Sequence, residues 1–224
     1  MQELLSGNEA IARGAYETGV GVASGYPGTP STEILETVAA RHPEVYCEWA
    51  PNEKVAFETA AAAALTGVRA MTTMKHVGLN VAADPLMTLA YTGVKGGMVI
   101  CVADDPGMHS SQNEQDTRHY ARFAKIPILE PADSQEALDF FKQGMEISEQ
   151  FRTPVILRTT TRINHSSAFV ELGKLTPRKT KGDFKKDPFN LVTVPAVSRR
   201  LHVRLLENWD KAQALAETSP YNFT

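Results

Sequence analysis

Cysteine is nearly absent from this chain: its 224 residues include only Cys47 and Cys101. Two thiols exclude a cysteine-ligated zinc or iron–sulfur centre built from this chain alone and suit a reducing compartment, so a cytoplasmic location is expected. A surplus of one charge sign is also lacking, with 23 Lys and Arg against 26 Asp and Glu for a net charge of −3. That balance recommends neither nucleic acid nor an anionic membrane as a partner. No apolar run reaches the roughly 20 residues a membrane crossing needs. The opening Met-Gln-Glu-Leu-Leu-Ser has neither a basic region nor an apolar core, so no secretory signal is expected. Walker and dinucleotide fingerprints are missing, as are a Gly-x-Ser-x-Gly elbow and any His, Cys and Asp cluster at metal-ligand spacing, so no metal ligand is assigned.

What the chain does have is alternation. Ser6 with Glu9 forms a capping-box pattern that opens a helix to about Thr18, followed by a strand over Val20–Tyr26. Pro27–Ser31 reads as a turn in which Thr29 or Ser31 can cap a helix over Thr32–Arg41, with Pro30 tolerated at its start. A strand over Val45–Trp49 leads into a helix with Glu53 at its mouth. Ala60–Ala64 leave that helix so smooth that a neighbouring backbone or a flat ligand can approach closely, and Gly67 stops it. Val68–Met74 is the next strand, with Lys75–Gly78 a polar turn at its carboxyl end and a helix from about Leu79. Gly97–Ala103 is apolar throughout, as in a strand covered on both faces, and it breaks at Asp104-Asp105-Pro106-Gly107. The polar passage Met108–Arg122 reads as a loop outside the core. A strand over Ile126–Glu130, a helix over Ser134–Gln150 and a strand over Pro154–Thr160 complete the pattern. Such alternation predicts an α/β fold, doubly wound, with a mostly parallel sheet and helices on both faces.

The character changes after about residue 173. Between Lys174 and Arg204 nine basic residues face only Asp183 and Asp187, and clear periodicity returns only at a helix near Leu205–Glu217. The chain therefore divides into an α/β domain, 1–173, and a basic arm with a short terminal helix, 174–224. The arm either lies on an acidic surface of this domain or a neighbour, or is a solvated linker.

Taken singly, the polar residues at strand ends are ambiguous. A carboxylate such as Glu53 in a first helical turn suits the positive end of the helix dipole, and a Pro-Gly-Thr-Pro-Ser turn is ordinary punctuation whose N–H groups can also hold an anion. His76 and His109 fall in polar turns rather than on apolar faces, which favours ligand contact over core packing only modestly.

Taken in order, these segments resemble one family. Ser6-Gly7-Asn8-Glu9-Ala10, Gly25 through Glu33, Glu48 through Lys54, Lys75-His76-Val77-Gly78-Leu79-Asn80 and the Asp104–His119 passage are similar to the amino-terminal, pyrimidine-binding domain of thiamine-diphosphate-dependent 2-oxoacid:ferredoxin oxidoreductases, in the branch acting on indolepyruvate. The resemblance covers essentially the whole chain. It implies that Glu53 is the catalytic acid, sharing a proton with the pyrimidine ring nitrogen, with Glu48 as competitor and Glu58 third. Lys75, His76 and Gly78 would lie close to the cofactor. Gly28, Thr29, His109 and Arg118 would face the substrate, with Ser110, Ser111, Gln112 and Asn113 in the same loop; Arg118 pairs with a substrate carboxylate or anchors the loop.

The cofactor so implied is thiamine diphosphate with Mg²⁺, its diphosphate and metal held by a domain this chain lacks, together with 4Fe-4S clusters on another domain. The implied partners are a thiamine-diphosphate/iron–sulfur domain or subunit, ferredoxin, coenzyme A and the 2-oxoacid, in a dimer or hetero-oligomer. This chain alone would be inactive. Two alternatives stay open: a subunit of a non-oxidative 2-oxoacid decarboxylase, and a non-catalytic α/β interaction module.

Overall fold

The chain runs β1 (Gln2–Ser6), α1 (Gly7–Glu17), β2 (Val22–Gly25), α2 (Thr32–Arg41), β3 (Tyr46–Trp49), α3 (Glu53–Leu65), β4 (Ala70–Lys75), α4 (His76–Val81), α5 (Ala83–Thr92) and β5 (Met98–Asp104). It continues through α6 (Arg118–Ala124), β6 (Ile128–Leu129), α7 (Ser134–Phe151), β7 (Val155–Thr160), α8 (Thr161–His165), β8 (Ser167–Glu171), α9 (Pro188–Leu191) and α10 (Pro195–Thr218). This computed structural model describes residues 1–222, so the last two positions of the arm lie outside the described residues. Six strands form one parallel sheet in the order β3-β2-β4-β5-β7-β6. Every residue of β4 and β5 is buried, as a parallel sheet with helices on both faces requires.

Each face carries its own core. Ile11, Leu35, Phe141 and Leu157 bring α1, α2 and α7 onto one side, while Phe57, Leu86, Ile100 and Leu205 bring α3, α5 and α10 onto the other. The alanine run acts as expected of small side chains. Ala60 and Ala64 are fully buried, and α3 sits close enough to β2 for the Ser24 hydroxyl to donate to the Ala56 carbonyl at 2.5 Å. Gly67, with φ +85°, takes the left-handed conformation that ends α3. Among the described residues no helix is long and apolar enough to cross a membrane.

Several elements differ from the sequence reading. β1 and β8 form a separate antiparallel ribbon; their pairing joins segments far apart in the chain, and no local signal announces it. The polar passage holds a helix, α6, because Ala121 and Ala124 are buried beneath it. Ser31 does not cap α2 through its side chain; its hydroxyl donates to the Gly28 carbonyl at 2.8 Å. The terminal helix starts well before Leu205, at Pro195, because Leu201 and Leu205, one turn apart, are both buried on its inner side.

The basic segment runs along the amino ends of the strands. Thr176 N–H donates to the Glu17 carbonyl at 2.7 Å, Gly173 N–H to the buried Glu17 carboxylate at 2.7 Å, Arg178 to the Val20 carbonyl at 2.7 Å and Asp183 N–H to the Thr66 carbonyl at 2.9 Å. Among the described residues its contacts in this domain are mostly to backbone carbonyls, with Arg178 also 3.7 Å from the Glu44 carboxylate.

The α1–α7 contact is a large element of the first core, and Phe141 is completely buried there against Gly14. Phe141→Ala is expected to cost about 3–5 kcal/mol of unfolding free energy, read as a lowered urea midpoint at unchanged m-value.

Candidate active site

The connections reverse direction between β2 and β4: the chain leaves β2 for the edge strand β3 and returns across it to β4. The crevice beyond the carboxyl ends of the strands at such a point is where open α/β sheets hold ligands. Three segments of the sequence reading meet here, namely the turn after β2, the start of α3 and the passage from β4 into α4.

Glu53 is the first residue of α3, whose start is capped by Asn52 accepting from the Val55 N–H at 3.0 Å. Its half-buried side chain lies over α4. A methyl group at position 78 would stand 2.5 Å from Glu53 Oε1 and 2.6 Å from its Cγ, so the carboxyl occupies the space a side chain at 78 would need. No protein donor holds that carboxylate among the described residues. Gly28 makes a comparable close approach, since a methyl there would lie 3.1 Å from Lys75 Cβ.

Lys75 and His76 do not stand in a polar turn. Lys75 is the last residue of β4 and His76 the first of α4, and they are only 7 % and 1 % exposed. The strand passes directly into the helix, turning both side chains inward beneath the 106–117 loop. Lys75 Nζ donates to the Ser110 carbonyl at 2.5 Å, and His76 Nε2 lies 3.2 Å from the Asn113 carbonyl. His76 Nδ1 is buried without a partner among the described residues.

The other side of the loop is held by two acids that the sequence reading treated as turn formers. Asp105, 1 % exposed, accepts from Ser110 N–H at 2.8 Å, Ser111 Oγ at 2.5 Å and Thr161 Oγ1 at 2.7 Å. Burial works against its ionisation, but these hydrogen bonds outweigh burial and hold its carboxyl well below the usual range. Asp104 accepts from Arg158 at 2.7 Å and from Thr117 N–H at 3.1 Å, closing the loop where α6 begins. Two acids directly after an unbroken apolar strand were the available signal, because a strand buried to its last residue carries its next neighbours inside.

The remaining sequence candidates are dispersed. Thr29 is exposed in the turn after β2, next to Pro30. His109 is exposed, its ring folded over Gly107. Arg118 is paired with Asp116 at 2.8 Å and lies 3.9 Å from Glu130, the geometry of a loop anchor; its guanidinium draws Asp116 down to about 2. Glu48 accepts from the Tyr46 hydroxyl at 2.7 Å on the edge strand, and Glu58 is exposed on the outer side of α3. Of the three acids compared, Glu53 alone lies against α4. Burial pushes the Cys47 thiol up to about 11 and raises Cys101 further, so neither is a thiolate near neutral pH. A cavity of about 680 Å³ lies between β6, α7 and α10 and is lined by Leu129, Phe140, Ile147 and Trp209, with Arg118 at its edge. It is mainly apolar, whereas the polar side chains converge at the switch point.

Comparison with known proteins gives consistent findings. Residues 13–198 match the family described as pyruvate flavodoxin/ferredoxin oxidoreductase, thiamine diphosphate-binding. The chain is 53 % identical over 220 residues to the indolepyruvate oxidoreductase subunit IorA of Methanothermobacter marburgensis, covering 97 % of this chain and 36 % of that one. It is 54 % identical over 228 residues to the IorA subunit of Pyrococcus horikoshii, covering 98 % and 35 %. The chain thus spans about a third of the length of these curated relatives. A solved structure, 2-oxoglutarate:ferredoxin oxidoreductase from Magnetococcus marinus with 2-oxoglutarate, coenzyme A and succinyl-CoA bound, superposes with a TM-score of 0.75 at 17 % identity. That match covers 95 % of this chain and 45 % of the other, and it shows the same fold.

The depressed Asp105 sets a pH dependence. A carboxylate held below its unfolded value contributes stability that is present above the unfolded pKa, about 3.9, and is lost as pH falls towards the folded value. The gap in urea midpoint between the native chain and Asp105→Asn should be widest at neutral pH and should narrow steadily as pH falls from about 3.9 towards the folded value.

Proposed function

This chain belongs to the pyruvate flavodoxin/ferredoxin oxidoreductase family, in its thiamine-diphosphate-binding part, and we propose that it forms the pyrimidine-binding wall of a 2-oxoacid:ferredoxin oxidoreductase acting on an aryl pyruvate such as indolepyruvate. The observation that carries this reading is the Glu53 carboxyl seated on Gly78 at the switch-point crevice. The substrate class follows from the similarity to indolepyruvate oxidoreductase subunits.

The residues present fit one side of the cofactor. A half-buried carboxyl with no donor among the described residues, a glycine floor beneath it and a buried His76 Nδ1 with no partner among them suit a flat nitrogen heterocycle. The diphosphate side is not matched: among the described residues no group of three or more His, Cys, Asp or Glu side chains could hold a metal ion. Mg²⁺, the diphosphate and the 4Fe-4S clusters are assigned in this reading to a partner domain or subunit.

When bound, the cofactor supplies a nucleophilic carbon for the 2-oxo group. Glu53 would place its carboxyl against the ring nitrogen of the aminopyrimidine, where it could share a proton with it. Gly78, by carrying no side chain, leaves free the volume in which that carboxyl sits. Lys75 and His76 hold the 106–117 loop down through its carbonyls, and the Gly28–Thr29 turn presents its exposed face to the oxoacid. In the overall reaction the oxoacid would lose CO₂ and its acyl carbon would bond to the sulfur of coenzyme A in place of the thiol proton, which is released, while two electrons leave to ferredoxin.

In the assembled complex, assayed anaerobically with ferredoxin and coenzyme A, Glu53→Gln should lower kcat by about 10²-fold or more with the fold intact. Near-normal turnover would defeat the assignment, and free aldehyde in place of acyl-CoA would point to a non-oxidative decarboxylase. Gly78→Ala gains helix propensity of up to about 1 kcal/mol but displaces Glu53; activity should fall at least tenfold while thermal stability is kept or raised.

A further inference from the structure

The Ser6-Gly7-Asn8-Glu9-Ala10 segment has no role in the mechanism above, yet its side chains reach the site from the opposite end of the chain's course. Ser6 and Glu9 complete a reciprocal capping box, with Glu9 N–H donating to Ser6 Oγ at 3.2 Å and Ser6 N–H to Glu9 Oε2 at 2.9 Å. Gly7 packs so closely on α8 that any side chain there would strike the Ile163 carbonyl. Those two features place Asn8, 1 % exposed, directly beneath the turn after β2. Its Nδ2 donates to the Pro30 carbonyl at 2.9 Å and to the Glu33 carboxylate at 3.1 Å. Its Oδ1 accepts from Nδ2 of Asn164, itself completely buried on α8.

We propose that Asn8, steadied by Asn164, is a positioning residue that sets the height of the Gly28–Thr29–Pro30 turn over Lys75 and so governs 2-oxoacid binding. The turn has few other holds: Gly28 N–H donates to Thr32 Oγ1 at 2.8 Å and Ser31 bonds back to Gly28, and both bonds are internal to the turn and the start of α2. Asn8 is the side chain that ties the turn to a different part of the domain. An amide is suited to this place because it donates twice, to a carbonyl and a carboxylate, while accepting once from Asn164. Aspartate has the same shape but lacks the donors and faces Glu33 with like charge.

The inference rests on the reading that this turn faces the oxoacid, and its test is arranged so that the two can fail separately. Asn8→Asp, Asn8→Ala and Asn164→Ser are assayed in the full complex beside Glu53→Gln, with KM measured for the 2-oxoacid and for coenzyme A. The expected result is a KM for the oxoacid raised about 10- to 100-fold in the Asn8 variants and less in Asn164→Ser, with KM for coenzyme A unchanged. A merely structural role would reduce kcat in proportion to the folded fraction and leave both KM values alone; that outcome overturns the proposal, as does an unchanged enzyme. If an Asn8 variant fails to fold, the Asn164→Ser value decides by the same criterion. Normal turnover in Glu53→Gln would sink the active-site reading itself, whatever the Asn8 variants do.

Discussion

The start of α3 meets α4 with the Glu53 carboxyl lying directly on Gly78. Gly78 has no side chain, and the Glu53 carboxyl lies in the place one would fill. The constraint is steric, because a side chain at position 78 would take the space in which the acid sits. The alanine surface of α3 belongs to the same constraint: fully buried Ala60 and Ala64 let α3 lie flat on β2 and β4, so its first residue arrives at the sheet edge at the level of α4.

Around that contact the charged and polar groups hold the loop from both sides. Lys75 and His76 bind carbonyl oxygens of the 106–117 loop, while Asp105 binds its N–H and hydroxyl groups from beneath. An ammonium in contact with a carbonyl is less available to an anion than a free one. Asp104 and Arg158, both almost completely buried, form a pair whose separation would leave an uncompensated charge in the interior. Asp104 also accepts from the Thr117 N–H and hydroxyl, which ties the end of the loop to the central strands.

The basic segment is placed at the other end of the sheet. It crosses the amino ends of the strands and then forms α10 against α5, where Arg204 donates to the Tyr91 and Thr92 carbonyls. The carboxyl edge, with Glu53 and the Gly28 turn, is left uncovered by it. Where the arm touches this domain it binds mostly backbone carbonyls, together with Glu44 near Arg178, and its charge excess alone did not locate those contacts.

Alternation of apolar strands and periodic helices was enough to read the doubly wound class, the helix starting at Glu53 and its stop at Gly67, since these depend on side-chain pattern and backbone preference within a few residues. The ordered motifs were likewise enough to place the chain in its family and to select Glu53 for comparison with Glu48 and Glu58. The sequence did not reveal the burial of Lys75 and His76, because a strand that runs into a helix without a turn looks locally like a polar break. Nor did it show the β1–β8 ribbon, the inward direction of Asp104 and Asp105, or the reach of Asn8 to Pro30. Each of these joins residues whose separation along the chain is large compared with one turn or one strand, and only the packing of the whole domain brings such pairs within hydrogen-bonding distance.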